Sequence, residues 1–225
     1  MRMKTSSGLS LIELLVAITL LSMVILTGYY AYSIIATSWQ KQSSVIDAQL
    51  DHRSELRKLD AVLKGIMPWT IRNKDNQGAF FFVGKQDSLL AVTSNGLFDD
   101  QYPEIFRLVV QQDADGSAYL LYQATSSQHV SLVNSSQSIE FGHEMVLLNE
   151  MSNFQFNYFG ASQLTAMTVA PDFTWSNEFS GLDRQLMPYQ LMLKVVKGQY
   201  ELRLRAGYQY NSAKLLSGYL DDGVF

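Results

Sequence analysis

From residue 9 to residue 36 the chain is dominated by Leu, Ile, Val, Ala and Met, and between residues 5 and 40 the only formally charged side chain is Glu13. A helix crosses a bilayer with roughly 20 apolar residues, so this run predicts a transmembrane helix over 9–36. Beyond it Val45, Leu56, Leu59, Leu63 and Ile66 recur in helical steps, while Asp51, Arg53, Glu55 and Lys58 fill other faces. That periodicity carries the helix on through 37–67, until Pro68 stops it. After Pro68 the pattern changes to short runs rich in Phe, Tyr, Val and Leu, which predict strands over 79–83, 88–94, 104–112, 118–125, 138–141, 154–159, 189–196 and 200–210. Asp113-Ala114-Asp115-Gly116 and Lys197-Gly198 read as hairpin turns, with glycine supplying the positive φ of a tight reversal. The stretch 160–184 has weak periodicity and clustered Thr, Ser, Pro and Asp, so it reads as a long surface loop. The fold class predicted is α+β, a long N-terminal helix packed on antiparallel β-sheet in a globular head over 68–225.

Charge sets the orientation. Arg2 and Lys4 precede the apolar run and the residues past Lys41 are mixed in sign, so the N-terminus stays cytoplasmic and the head lies on the far side of the membrane. The whole chain of 225 residues carries a net charge of −4, which argues against a nucleic-acid partner. With no cysteine, a disulfide framework, a thiolate metal site and thiol catalysis are all excluded.

A secretory signal peptide shares the basic start and apolar stretch, but its apolar core spans about 7–15 residues. This run is longer and holds an acid near its beginning. A carboxylate at the centre of hydrocarbon costs about 2–3 kcal/mol even on lenient insertion scales, so Glu13 needs a partner and a purpose. The segment Gly8-Leu9-Ser10-Leu11-Ile12-Glu13-Leu14-Leu15-Val16-Ala17-Ile18 resembles the leader junction of type IV prepilins and type II secretion pseudopilins. The resemblance implies a pilin-like fold, a leader over 1–8, cleavage between Gly8 and Leu9 by a prepilin peptidase, and N-methylation of Leu9. It also implies that the helix over 9–36 anchors the chain in the bacterial inner membrane and later joins a filament core. Cleavage creates an α-amino group, and the Glu13 carboxylate can pair with that amine, its own or a neighbour's, and so set the register of assembly. The family most often has phenylalanine after the cut, where this chain has Leu9. Many major pilins carry a proline within the mature helix; none occurs here before Pro68, and Gly28 is its weakest point.

The head resembles the J-type minor pseudopilins of type II secretion, and related minor pilins. The matching residues are Phe82-Val83-Gly84, Ser88-Leu89-Leu90-Ala91-Val92-Thr93, Tyr119-Leu120-Leu121-Tyr122, the run from Val146 to Phe159, and the surroundings of Trp175. The implied partners are other minor and major pilin-like subunits in a tip complex, and the inner-membrane assembly platform, with a periplasmic head.

Catalytic and metal chemistry finds little footing. His52, His129 and His143 are far apart, and Asp113, Asp115 and Gly116 lack the later acidic ligand of a calcium loop. No nucleophile elbow or phosphate-binding glycine loop occurs. The neighbours Asp99 and Asp100, and Asp221 and Asp222, read as solvated acids. Phe80, Phe82, Phe106, Phe141, Phe154 and Phe156 read as core, and Tyr29, Tyr30, Tyr32 and Trp39 as interface aromatics. The expectation is an assembly subunit without cofactor or metal. A membrane-anchored enzyme would need a pocket of converging ionisable groups, and a binding module on a pilus tip would show an exposed apolar or aromatic patch.

Overall fold

A computed structural model describes residues 11–162 and 172–220; the side chains of 31, 33–52 and 218–220 are outside that description. The chain divides into two units, residues 1–51 and 52–225. Helix α1 runs from Leu11 to Lys64 and contains the first unit's described residues and the start of the second.

Two sheets build the second unit. The six-stranded sheet has the order β10-β3-β4-β5-β6-β7, from β3 (Val83–Gly84), β4 (Ser88–Thr93), β5 (Glu104–Gln112), β6 (Ala118–Ser126), β7 (His143–Met151) and β10 (Phe179–Ser180). The four-stranded sheet has the order β12-β11-β8-β9, from β8 (Asn153–Ala161), β9 (Phe173–Ser176), β11 (Gln190–Lys197) and β12 (Tyr200–Gly207). A small ribbon joins β1 (Thr70–Arg72) to β2 (Gly78–Phe80), and two further helices are α2 (Gly181–Arg184) and α3 (Ser212–Leu220). All strand pairs in the sheets are antiparallel, as the short strands and tight turns predict. Both predicted hairpin turns form, with φ of +86° at Gly116 and +58° at Gly198.

The core lies where the last turns of α1 meet both sheets. Leu59, Val62, Leu63 and Ile66 pack with Phe80, Phe82, Phe106, Tyr122, Phe156, Tyr158 and Leu193, all buried. Tyr158 and Phe179 meet the Phe82 ring edge to face at 5.8 and 5.9 Å, a geometry worth about 0.5–1.5 kcal/mol per pair beyond area burial. A second cluster gathers Ile71, Phe81, Val92, Ile105 and Leu132.

Several expectations are corrected. The helix does not reach 67. It ends at Lys64, because tertiary groups take the carbonyls of its last turn and of the residues just after it. Asn95 Nδ2 donates to the Ala61 oxygen at 3.2 Å, Thr93 Oγ1 to Val62 at 2.9 Å, Tyr208 Oη to Leu63 at 2.8 Å and Tyr210 Oη to Ile66 at 3.0 Å. The Ser94 N–H and hydroxyl both reach the Gly65 oxygen. Residues 138–141 are not a strand. Ile139 packs on the second cluster and Phe141 is only half-buried, its ring covered by the Arg107 guanidinium at 5.0 Å. Nor is 160–184 a surface loop throughout. β8 continues to Ala161, β9 and β10 pair with β8 and β3, and Phe179 is buried in the main core. Gly181 packs so tightly that a Cβ there would stand 2.8 Å from the Phe80 oxygen. Residues 163–171 of that stretch lie outside the described residues.

Candidate functional site

The N-terminal span and the head offer different kinds of chemistry. Leu11–Tyr30 forms a helical stretch of 20 residues, long and apolar enough to cross a membrane, and its side chains are all exposed. Its hydroxyls do not disturb that character. Thr19 Oγ1 donates to the Val16 oxygen at 2.8 Å, Ser22 Oγ to Ile18 at 2.8 Å, and Thr27 Oγ1 to Met23 at 2.8 Å. Each of these three hydroxyls therefore bonds inside the helix, the condition for lying in hydrocarbon. Glu13 stands in the first turn of α1, where a carboxylate complements the positive end of the helix dipole. Tyr29, Tyr30 and Tyr32 are exposed at the far end of the span, a position suited to a membrane interface. The predicted cleavage and methylation positions, Gly8 and Leu9, lie outside the described residues, as does the Trp39 side chain.

In the head, a cleft of about 610 Å³ opens at the junction of β5, β6 and β7, lined in part by Asp99, Glu104, His129, Glu140, Phe141 and His143. Its most buried ionisable group is Glu104, whose residue is 1% exposed. Both carboxylate oxygens are occupied. The N–H groups of Leu97 and Phe98 donate at 3.1 and 2.6 Å, Asp99 N donates as well, and Tyr122 Oη donates at 2.6 Å. Burial, and then the hydrogen bond to this carboxylate, push the Tyr122 hydroxyl above its ordinary range. Glu104 thus acts as an internal cap that ties the 96–103 loop to the sheet.

The other candidates are similarly absorbed. Asp99 accepts from Ser126 Oγ at 2.6 Å and from the N–H groups of Gln101 and Tyr102, which hold its carboxyl below the usual range. The His143 ring lies tilted against Phe98 with 5.0 Å between ring centres. Asp113 and Asp115 accept from N–H groups of their own turn, at Ala114 and Ser117. Asp221 and Asp222, and the His52 side chain, lie outside the described residues. Among the described residues no three His, Cys, Asp or Glu side chains converge as metal ligands.

The role of Glu104 escaped the sequence reading. A signal for it existed, because Glu104 shares the strand phase of the buried Phe106 and Leu108, which places its carboxylate on the inward face.

Residues 3–29 match the prokaryotic N-terminal methylation motif. No curated protein matches the chain. The motif falls on the same segment as the exposed apolar helix, and it supports a type IV pilin-like protein, a class of structural subunits. It implies processing by a prepilin peptidase and assembly with other pilin subunits, and the apolar helix fits the membrane anchor typical of pilins. The α+β architecture, an N-terminal apolar helix followed by antiparallel sheets, is consistent with a pilin-like fold.

Proposed function

We propose that this chain is a minor pseudopilin that assembles through its N-terminal helix into the tip or initiation complex of a type II secretion pseudopilus. In this reading residues 1–8 are the leader, 9–36 the membrane and filament-core helix, the rest of α1 to Lys64 its continuation, and 68–225 the periplasmic head. Prepilin peptidase cuts after Gly8 and methylates Leu9, and Glu13 pairs with an N-terminal amine as the subunit leaves the assembly platform. The observation that carries the reading is the methylation motif lying over an exposed apolar span with a carboxylate in its first turn. The attraction between a paired amine and carboxylate offsets part of the solvation that each loses on leaving the aqueous boundary.

A minor pilin of a type IV pilus is the second reading, favoured by an aromatic surface on β8 and β9. Phe159 lies 5.3 Å from Trp175 and Phe173 meets Tyr189 at 4.8 Å, with Trp175 and Tyr189 exposed, a composition suited to contact.

The test is made in cells that contain the peptidase. Mass spectrometry of the wild-type protein should find an N-terminal methyl-leucine at Leu9, and Gly8→Ala should retain the leader. Glu13→Ala should be processed normally yet recover fewer partner subunits on co-purification. Normal maturation of the Gly8 variant, or undiminished assembly of the Glu13 variant, refutes the corresponding role. Deleting the gene separates the two filaments: loss of protein secretion with surface pili intact supports the pseudopilus, and the opposite result supports the pilus.

A further inference from the structure

The four-stranded sheet ends in β12, and among the described residues no strand pairs with its outer side. An open edge presents unpaired N–H and C=O groups to any extended chain of suitable pattern. Here the side chains alternate cleanly. Tyr200, Leu202 and Leu204 lie on one face and Glu201, Arg203 and Arg205 on the other, as fixed by the pairing of Leu202 with Val195 and of Leu204 with Leu193. The apolar row is not covered at its start, since Tyr200 is 83% and Leu202 40% exposed. It borders an apolar groove of about 310 Å³ whose walls include Leu56, Leu148, Met151 and Val195.

We propose that β12 pairs antiparallel with β12 of a second copy of this chain, in the register that sets Leu202 opposite the second copy's Leu202. A two-fold axis through that point preserves the faces of the joined sheet, so like sides meet like sides. On the charged face Glu201 then lies opposite Arg203 of the other copy, and the symmetry repeats that opposite-charge pair. On the apolar face Tyr200 lies opposite Leu204, and the paired leucines cover the open groove. Shifting the register by two residues to centre it on Arg203 would place that arginine against its own copy, which like-charge repulsion disfavours. The strand is therefore complementary to itself in both charge and hydrophobicity, and this selects a second copy over an unrelated chain. The Glu201 carboxylate already collects Lys194 Nζ at 2.7 Å and Arg203 Nε at 2.6 Å within its own copy, on the face that the second copy's Arg203 would join.

The chain contains no cysteine, so a single introduced thiol reports on one position. Directly opposed residues of an antiparallel pair have Cα atoms about 4.5–5.5 Å apart, within the span a disulfide bridges. Two Tyr200 residues in the proposed register would be displaced by about 13 Å along the strands. Full-length Leu202→Cys, oxidised in membranes, should give a disulfide-linked dimer at least ten-fold more abundantly than Tyr200→Cys or Leu204→Cys alone. The double variant Tyr200→Cys with Leu204→Cys should restore the dimer and supplies the answer if Leu202→Cys fails to fold. In the Leu202→Cys background, Glu201→Arg should cut the dimer severalfold, and adding Arg203→Glu to the same chain should restore it. Lys194→Gln, which breaks only a contact within one copy, should leave the yield unchanged. Equal yields at all three cysteine positions, no dimer from either Leu202→Cys or the double variant, or a product containing a different protein would each overturn the proposal.

Discussion

Glu13 and Glu104 are both carboxylates set among apolar residues, and they belong to opposite kinds of region. Glu104 is surrounded by the donors it needs, three backbone N–H groups and the Tyr122 hydroxyl, all within the head. Glu13 sits on a helix whose neighbouring Leu, Ile and Val side chains are exposed. The same contrast runs through the rest of α1. Leu59, Val62 and Leu63 are buried against the sheets, whereas Leu14, Leu20 and Leu26 face outward. Internal packing and satisfied polar groups hold the head together, while an apolar span takes its stability from lipid or from other subunits. Helix α1 thus holds exposed apolar side chains in its described first turns and buried ones in its last.

That contrast can be broken by matched substitutions, each read by thermal unfolding of the full-length protein in detergent. Glu104→Ala should destabilise the head most, by about 4 kcal/mol, because it strands several buried donors at once. Glu13→Ala should leave head unfolding unchanged, and a comparable loss would show that the two regions are not separate in this sense. Leu63→Ala should cost about 3 kcal/mol through lost burial and an unfilled cavity, against no change for Leu20→Ala.

Two glycines give the next step down. At Gly65 a Cβ would lie 2.6 Å from Thr93 Oγ1 and 2.7 Å from Asn95 Cβ, so Gly65→Ala should destabilise by about 1–3 kcal/mol. Gly28 has nothing within 4 Å of the same added atom, so Gly28→Ala should stiffen the helix by about 1 kcal/mol, seen as slower amide exchange along the span. Tyr208→Phe removes the hydroxyl that caps Leu63 and should lower stability by about 1 kcal/mol. The smallest effect concerns acid. The Asp99 carboxyl is held low by Ser126, then by the Gln101 and Tyr102 N–H groups, so its stabilisation is full above the ordinary carboxylate value and disappears as pH falls through the lowered one. Asp99→Asn should flatten that part of the acid-unfolding curve, and an unchanged slope would assign it to other groups.

The elements that the sequence revealed are those governed by local pattern. The strand 104–112 is predicted with the bounds it has, since Ile105, Phe106, Leu108, Val109 and Val110 form one apolar, strand-favouring run between Pro103 and the turn at Asp113. Both hairpin turns were visible because a glycine at positive φ marks them directly. The errors arose where distant residues decide. Residues 138–141 have the composition of a strand, but Ile139 serves the second core cluster instead of a ladder. The polar stretch around Phe179 looked like loop, yet the ring is needed beside Phe82 and the backbone pairs with β3.

By itself the sequence determined the apolar span, the acid within it and the methylation motif over residues 3–29, because hydrophobicity and a short motif are both carried by contiguous residues. Only the tertiary structure decided where α1 stops, since the groups that take the carbonyls at its end come from Thr93, Ser94, Asn95, Tyr208 and Tyr210. It likewise decided that Glu104 is an internal cap and that β12 is the outermost described strand of its sheet. Hydrogen-bond satisfaction and strand order depend on which distant segments meet, and no local pattern carries that information.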